Sequence, residues 1–470
     1  MARTSQDLTQ GPVVKKLFLF AMPILFTNML QQLYHAADVM VVGNFAKDAT
    51  VSLAAVGSTG AVTTLLLNLF VGLSLGVNVI CANCYGAGDR EGLNKTMQTG
   101  LITSFFSGVI VSLLGFFLAR PCLLLLGSPQ SVIGPATTYM KIIFLGQPGS
   151  LVYNFGAGIL RAHGDTKRPM MILSLAGMIN VVLNLVFVIV FHLDSAGVAL
   201  ATSISHYFSA AAVLFILCNP HGEQRLSLFD LRFDRKQFFK IMRVGIPGGL
   251  NGMVFSVSNT FVAKGINTLG PVVIAGNSAA SSVDYFTYQI LLSFYTACVS
   301  FAGQNYGAKK FRRIDRLLWS SILITAAIYA VVFGVIACFP EFFVGLFSKD
   351  PVVVQAGLPR LYMIGTSYLV YTVSEMAIGC LRGMGKSVLP TALNAASVCI
   401  PRIVWVTFIF PLRPTLLFLY MCFPISYVFS IATQLGCYLY YSKKEKKAYY
   451  ESQKNALSQG ADALDTEVAV

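Results

Sequence analysis

Apolar residues run in twelve long blocks separated by short polar breaks. The blocks fall at 17–43, 52–80, 96–118, 134–160, 169–192 and 196–218, then at 238–264, 271–300, 317–339, 355–381, 388–411 and 414–441. At 1.5 Å of rise per residue, a helix of this length crosses a hydrocarbon layer of about 30 Å. A segment in lipid must satisfy its own backbone hydrogen bonds, so all twelve are predicted to be α-helices. Pro23, Pro148, Pro247, Pro401 and Pro424 lie inside the blocks. In a membrane bundle they permit bends and close packing. The pattern therefore predicts an all-α integral membrane protein with twelve transmembrane helices.

The second half of the chain repeats the first. Leu160-Arg161-Ala162-His163-Gly164-Asp165-Thr166-Lys167-Arg168-Pro169 returns as Leu381-Arg382-Gly383-Met384-Gly385-Lys386-Ser387-Val388-Leu389-Pro390. Tyr85-Gly86-Ala87 returns as Tyr306-Gly307-Ala308 in the same register (306 − 85 = 382 − 161 = 221). Each half holds six helices, an even number, so both enter the membrane in the same sense. This predicts two six-helix lobes related by a pseudo-two-fold axis along the membrane normal, with a substrate cavity between them. The N-lobe covers 1–218 and the C-lobe 238–441, joined by a cytoplasmic loop at 219–237. The tail, 442–470, turns polar and acidic and reads as a frayed helix followed by disorder.

Lys and Arg set the orientation. One set of loops carries Arg90, Lys95, Arg161, Lys167, Arg168, Arg232, Arg235, Lys309, Lys310, Arg312, Arg313, Arg316, Arg382 and Lys386, while the other carries little beyond Lys47, Arg120, Lys264, Lys349 and Arg413. Lys15, Lys16 and Lys443 to Lys447 lie on the basic side, which places both termini in the cytoplasm and the protein in the plasma (inner) membrane. The first apolar block runs on past Pro23 without a cleavage site, so it reads as a retained span and not a signal peptide.

Composition narrows the class. Of 470 residues, 55% are hydrophobic and 11% charged, against about 25% charged in a soluble domain. The net charge of +14 sits in short loops between spans and needs no nucleic acid to explain it. The 10 cysteines lie mostly inside apolar blocks, and the lone Cys81-x-x-Cys84 has no second pair, so neither a disulfide framework nor a metal site is indicated. No Walker sequence, H-E-x-x-H or acidic Mg²⁺ cluster occurs, which argues against an enzyme and against ATP-driven pumping. No cofactor is expected, and no obligate protein partner: the chain reads as a monomer in the lipid bilayer.

Polar groups at membrane depth are expensive and point to function. Gln31, Tyr34 and Asp38 share one face of the first span. Asn180 and Asn184 on the fifth span and Thr202 on the sixth fall at the depth of Asp38, in the outer half of the N-lobe. One carboxylate, two amides and a hydroxyl form a candidate oxygen cluster for Na⁺, or surround a carboxylate that takes up H⁺. Alternatively the asparagines and threonine only join helices. The C-lobe lacks the cluster, having Pro401, Trp405 and Phe423 at the corresponding positions. Asn154, Asp284 and Glu375 are further cavity candidates, and Glu375 has Arg402 near in depth as an alternative partner. The 35 Phe, 20 Tyr and 15 Met supply aromatic and thioether surface suited to flat organic cations.

Several of these segments resemble the multidrug and toxic compound extrusion (MATE) family of secondary exporters. The likeness covers about residues 15–440. It is carried by Gln31-x-x-Tyr34-x-x-x-Asp38 with Val41-Val42-Gly43, by Gly303-Gln304-Asn305-Tyr306-Gly307-Ala308, and by the two Leu-Arg-x-x-Gly segments. The resemblance implies a V-shaped cavity between two lobes and export of small-molecule organic cations against Na⁺ or H⁺. It also implies Asp38 as the coupling carboxylate, with Asn180, position 184 and Thr202 around it. Many members carry Asp where this chain has Asn184, and the acid that some place on the seventh helix is absent between Asn251 and Lys264. A two-carboxylate Na⁺ site in the N-lobe is thereby excluded, which tilts the reading toward protons. Glu375 agrees with a branch reading E-x-x-x-G-x-x-R-G-x-G. A flippase for lipid-linked glycans is the alternative; it would favour a strongly cationic cavity, whereas the candidate cavity charges here are mainly acids.

Overall fold

The computed structural model describes residues 6–125, 129–219, 226–227 and 230–468. Every regular element among them is helical: α1 (Val13–Phe45), α2 (Ala49–Ala87), α3 (Arg90–Leu125), α4 (Gln130–Leu145), α5 (Gln147–Ala162), α6 (Lys167–Leu185), α7 (Asp194–Leu217), α8 (Arg235–Asn267), α9 (Pro271–Gly307), α10 (Phe311–Cys338), α11 (Pro340–Gly345), α12 (Pro351–Gly383), α13 (Val388–Val404), α14 (Leu416–Tyr420) and α15 (Cys422–Val468). Seven of these, some with their flanking turns, are long and apolar enough to cross a membrane. Large apolar side chains such as Leu125, Phe117, Phe215, Leu323 and Leu412 are exposed around the bundle, a surface for lipid and not for water. Most of the 219–237 connection, at 220–225 and 228–229, lies outside the described residues.

Two elements depart from the sequence reading. The block 134–160 is two helices, because Pro148 lacks the N–H that would bond the Phe144 carbonyl. The bend is held from α7: Ser203 donates to the Ile142 carbonyl at 2.8 Å and Tyr207 to that of Leu145 at 2.7 Å. Gly146 is required there, since a Cβ would sit 2.6 Å from Ser203 Oγ. The block 414–441 begins as the short α14 and restarts at Cys422, with Pro424 in its first turn. The tail continues α15 to Val468. Its first turns past 441 are docked: Glu445 takes bonds from Lys386 at 2.8 Å and Tyr306 at 2.9 Å, and Lys446 pairs with Asp315.

The halves interlock at the end that carries the basic loops. Gln304 Nε2 donates to the Ala162 carbonyl at 2.7 Å. Asn83, with its amide turned to face acceptors, donates to the carbonyls of Gly303 at 2.8 Å and Gly383 at 3.2 Å. These pairs correspond by the repeat offset (304 − 83 = 383 − 162 = 221). The tight approaches correspond too: a Cβ on Gly86 would lie 1.9 Å from the Gln304 carbonyl oxygen, and one on Gly307 2.0 Å from that of Asn83. Gly164 and Gly385, also 221 apart, both adopt positive φ (84° and 75°) and turn the two Leu-Arg-x-x-Gly segments. The N-terminal segment lies across this seam. Leu8 is buried, its N–H bonds Gln304 Oε1 at 3.0 Å, and Arg313 donates to the carbonyls of Leu8, Gln10 and Gly11.

Candidate functional site

Asp38, Asn180, Asn184 and Thr202 come together in the structure. Asp38 is buried on α1, and Asn184 Nδ2 donates to its Oδ1 at 2.5 Å. Asn180 lies one turn before Asn184 on α6. Turned to suit its neighbours, its Nδ2 faces Asp38 Oδ1 at 3.1 Å and its Oδ1 faces Thr202 Oγ1 at 3.2 Å. Asn184 Oδ1 is buried without a hydrogen-bond partner. A lone acid at this depth costs several kcal/mol unless paired or hydrated, and here two amides supply the compensation. Rotation of those amides would present oxygens instead. Asp38, Asn180, Asn184 and Thr202 therefore fit either of two cargoes: a proton held on Asp38, or a hard cation held on oxygens.

Tyr34 sets the position of α1 against α6. Its ring packs on Gly177, where a Cβ would lie 1.9 Å from ring carbons, and its hydroxyl donates to the Ser174 carbonyl at 3.1 Å. It stands one turn before Asp38 and helps to fix the carboxylate's position. Gln31 is exposed on α1. Just beyond α6, the turn at Val186–Val190 is widened to π-helix, a feature often found beside functional residues.

A cavity of 320 Å³ lies between α1, α2 and α4, lined by His35, Val39, Thr59, Thr63 and Tyr139 among others. Tyr139 is buried within electrostatic reach of Asp38. The sequence reading passed over His35 and Tyr139. The repeat held the signal, since Thr63 and Tyr139 correspond to Asp284 and Arg360 (284 − 63 = 360 − 139 = 221).

Asp284 is held in a buried ion pair. It is 3% exposed and pairs with Arg360 at 2.9 Å. Arg360 also donates to Asn277 at 2.8 Å, and Tyr420 to the same oxygen at 2.9 Å. Breaking one side of a buried pair typically costs about 3–5 kcal/mol, because the other charge is stranded. Asp284→Asn should lower thermal stability in detergent by that order, and Asp284→Asn with Arg360→Gln should recover most of it.

Glu375 is buried on α12 with the Tyr288 hydroxyl at 3.5 Å and Tyr371 one turn before it. No ion pair reaches it among the described residues. Arg402 is not its partner: the guanidinium bonds Ser426 at 3.1 Å and Asn259 at 3.2 Å. Asn154, the repeat counterpart of Glu375, is half-buried and bonds the Ser150 carbonyl at 2.8 Å within its own helix.

The sequence profile of one family, MatE, matches the chain twice, over residues 23–186 and 247–407. The chain belongs to the MatE family. The two matches fall one in each half of the internal repeat. The protein is thus a multi-pass membrane transporter, not an enzyme, and works without a cofactor. Among MatE relatives, the probable multidrug resistance protein YpnP of Bacillus subtilis is 28% identical over 400 residues, covering 84% of this chain and 88% of its own length. Two solved structures share the fold at 22% identity. One is a MOP superfamily transporter from Pyrococcus furiosus described as having a binding pocket of reversed polarity (TM-score 0.86, covering 93% of this chain and 98% of that one). The other is a multidrug resistance MATE family transporter in an outward-facing conformation (TM-score 0.85, 94% and 98%).

Proposed function

We propose that this protein is a cation-coupled antiporter that exports amphipathic, cationic organic molecules from the cytoplasm. Twelve helices cross the membrane in two lobes, 1–218 and 238–441, with α4 and α5 forming one crossing and α14 and α15 another. The basic end, with both termini, faces the cytoplasm. Substrate binds between the lobes, and the chain acts as a monomer.

The observation that carries this reading is the Asp38 cluster: a buried acid held by two amides, with a bare amide oxygen beside it. A coupling ion must bind the two transport states unequally, or it shifts nothing. A single acid on α1 supplies that inequality if ion uptake replaces the amide bonds and lets α1 move against α6. The coupling ion is H⁺ in this reading. Asn184 leaves one carboxylate in the cluster, and a lone carboxylate is satisfied by a single proton. The multidrug name of the Bacillus relative supports drugs as cargo and gives no support to the glycan flippase.

The test is ethidium transport by purified protein in liposomes, with pH and Na⁺ gradients imposed separately. Uphill ethidium movement should follow the pH gradient and ignore Na⁺. A response to Na⁺ alone would overturn the proton assignment. Failure of both gradients to drive uphill movement would overturn antiport.

A further inference from the structure

The C-lobe carries a counterpart of the Asp38 cluster with its charge reversed. Asn259 follows Asp38, and Phe423 follows Thr202, by the repeat offset (259 − 38 = 423 − 202 = 221). Neither position is ionisable. Between them lies Arg402. Its Nη1 donates to Asn259 Oδ1 at 3.2 Å, its Nε to Ser426 at 3.1 Å, and its guanidinium sits 4.3 Å over the Phe423 ring and 5.2 Å over that of Tyr427. In the N-lobe the residue that joins Asp38 to Thr202 is Asn180. Arg402 makes the corresponding contacts, one residue off strict register (180 + 221 = 401). A π-helical turn follows each site, at Val186–Val190 and at Trp405–Ile409.

Arg402 is 1% exposed, and its Nη2 has no hydrogen-bond acceptor. No carboxylate lies within ion-pair distance among the described residues. Guanidinium keeps its charge at any relevant pH, so this cation is neither released nor neutralised. Aromatic faces and two neutral oxygens compensate its burial.

We infer that Arg402 is a tethered cation. From the position that Asn180 holds in the N-lobe, its guanidinium supplies to the C-lobe a fixed positive charge in place of the one that the mobile coupling cation brings to Asp38. The C-lobe is then permanently in its loaded form, and one coupling cation is used per transport cycle. A covalently held charge draws no energy from a gradient, because it is never exchanged with either compartment. Arg402 therefore sets coupling stoichiometry. This inference rests on Asp38 being the coupling site.

The experiment measures the steady ethidium ratio across liposomes under a tenfold cation gradient, with the membrane potential clamped at zero. One coupled cation supports a ratio of about tenfold, and two support about hundredfold. Wild type should reach about tenfold; a hundredfold ratio would overturn the inference. Arg402→Met with Asn259→Asp removes the tethered charge and supplies a carboxylate for a mobile one. This variant should approach hundredfold, while Arg402→Lys should remain at tenfold. A double variant that keeps its thermal transition and still reaches only tenfold also overturns it. If the double variant does not fold, Asp38→Asn decides: complete loss of cation-dependent thermal stabilisation supports a single mobile site, and a residual shift overturns it. Coupling that survives intact in Asp38→Asn would instead bring down the Asp38 reading itself.

Discussion

Asp38→Asn should abolish uphill ethidium transport while leaving the protein folded. The carboxylate is the only ionisable group in its cluster, and the asparagine side chain has nearly its shape. Asn184 still finds a carbonyl acceptor at position 38, so the structural loss is about one hydrogen bond, or about 1–3 kcal/mol for the groups left mismatched. The functional loss is of a different kind. Coupling between ion and substrate typically amounts to a 5–150-fold change in affinity (about 1–3 kcal/mol), and it vanishes when the ion no longer distinguishes the two states. In everted vesicles, ethidium should equilibrate and not accumulate under an imposed pH gradient. The measurement pairs vesicle accumulation with a detergent melting curve. Accumulation at the wild-type level would remove Asp38 from the mechanism; loss of the melting transition would show the substitution to be structural.

Gly86→Val and Gly307→Val should each prevent the halves from meeting at the basic end. The added Cβ would lie 1.9 Å and 2.0 Å from carbonyl oxygens of the opposing helix. These obstacles are backbone, not side-chain tips, so no rotamer change relieves them. Overpacking usually costs about 1–3 kcal/mol, and a helix crossing that cannot shift lies at the upper end. The whole penalty falls on the state closed at this end. Uphill transport should be lost and thermal stability reduced. Gly334→Val is the control, since a Cβ there meets nothing within 4 Å and both properties should stay at wild-type level. A Gly86→Val protein that transports normally would show that closure at this end is not part of the cycle.

The helical class and the repeat were legible from periodicity and from two motifs in one register. Lipid forces the backbone into helix, so apolar length alone located the elements. The breaks were less legible. Pro148 marked a bend, but the two hydroxyls of α7 that bond the carbonyls beside it lie about 60 positions away in the chain. In the site, depth arithmetic grouped Asp38 with Asn180, Asn184 and Thr202, because helical rise converts position into height. It could not assign azimuth. The seat of the Tyr34 ring on Gly177 was therefore not foreseen, and Arg402, offered as an alternative partner for Glu375, turns to different neighbours. The internal offset had more to give. Applied residue by residue, it leads from Asp38 to Asn259 and from Tyr139 to Arg360.

The reciprocal amides have a consequence for descent. Asn83 reaches the turn at Gly383 and Gln304 the turn at Ala162, so each half offers the same position and receives the same favour. Mutual exchange of this kind is what a self-complementary contact between two identical molecules produces. A forebear of half this length would have closed the seam with a second copy of itself before any gene fusion. The later freedom of the two halves to differ, acid in one and guanidinium in the other, is what fusion allowed.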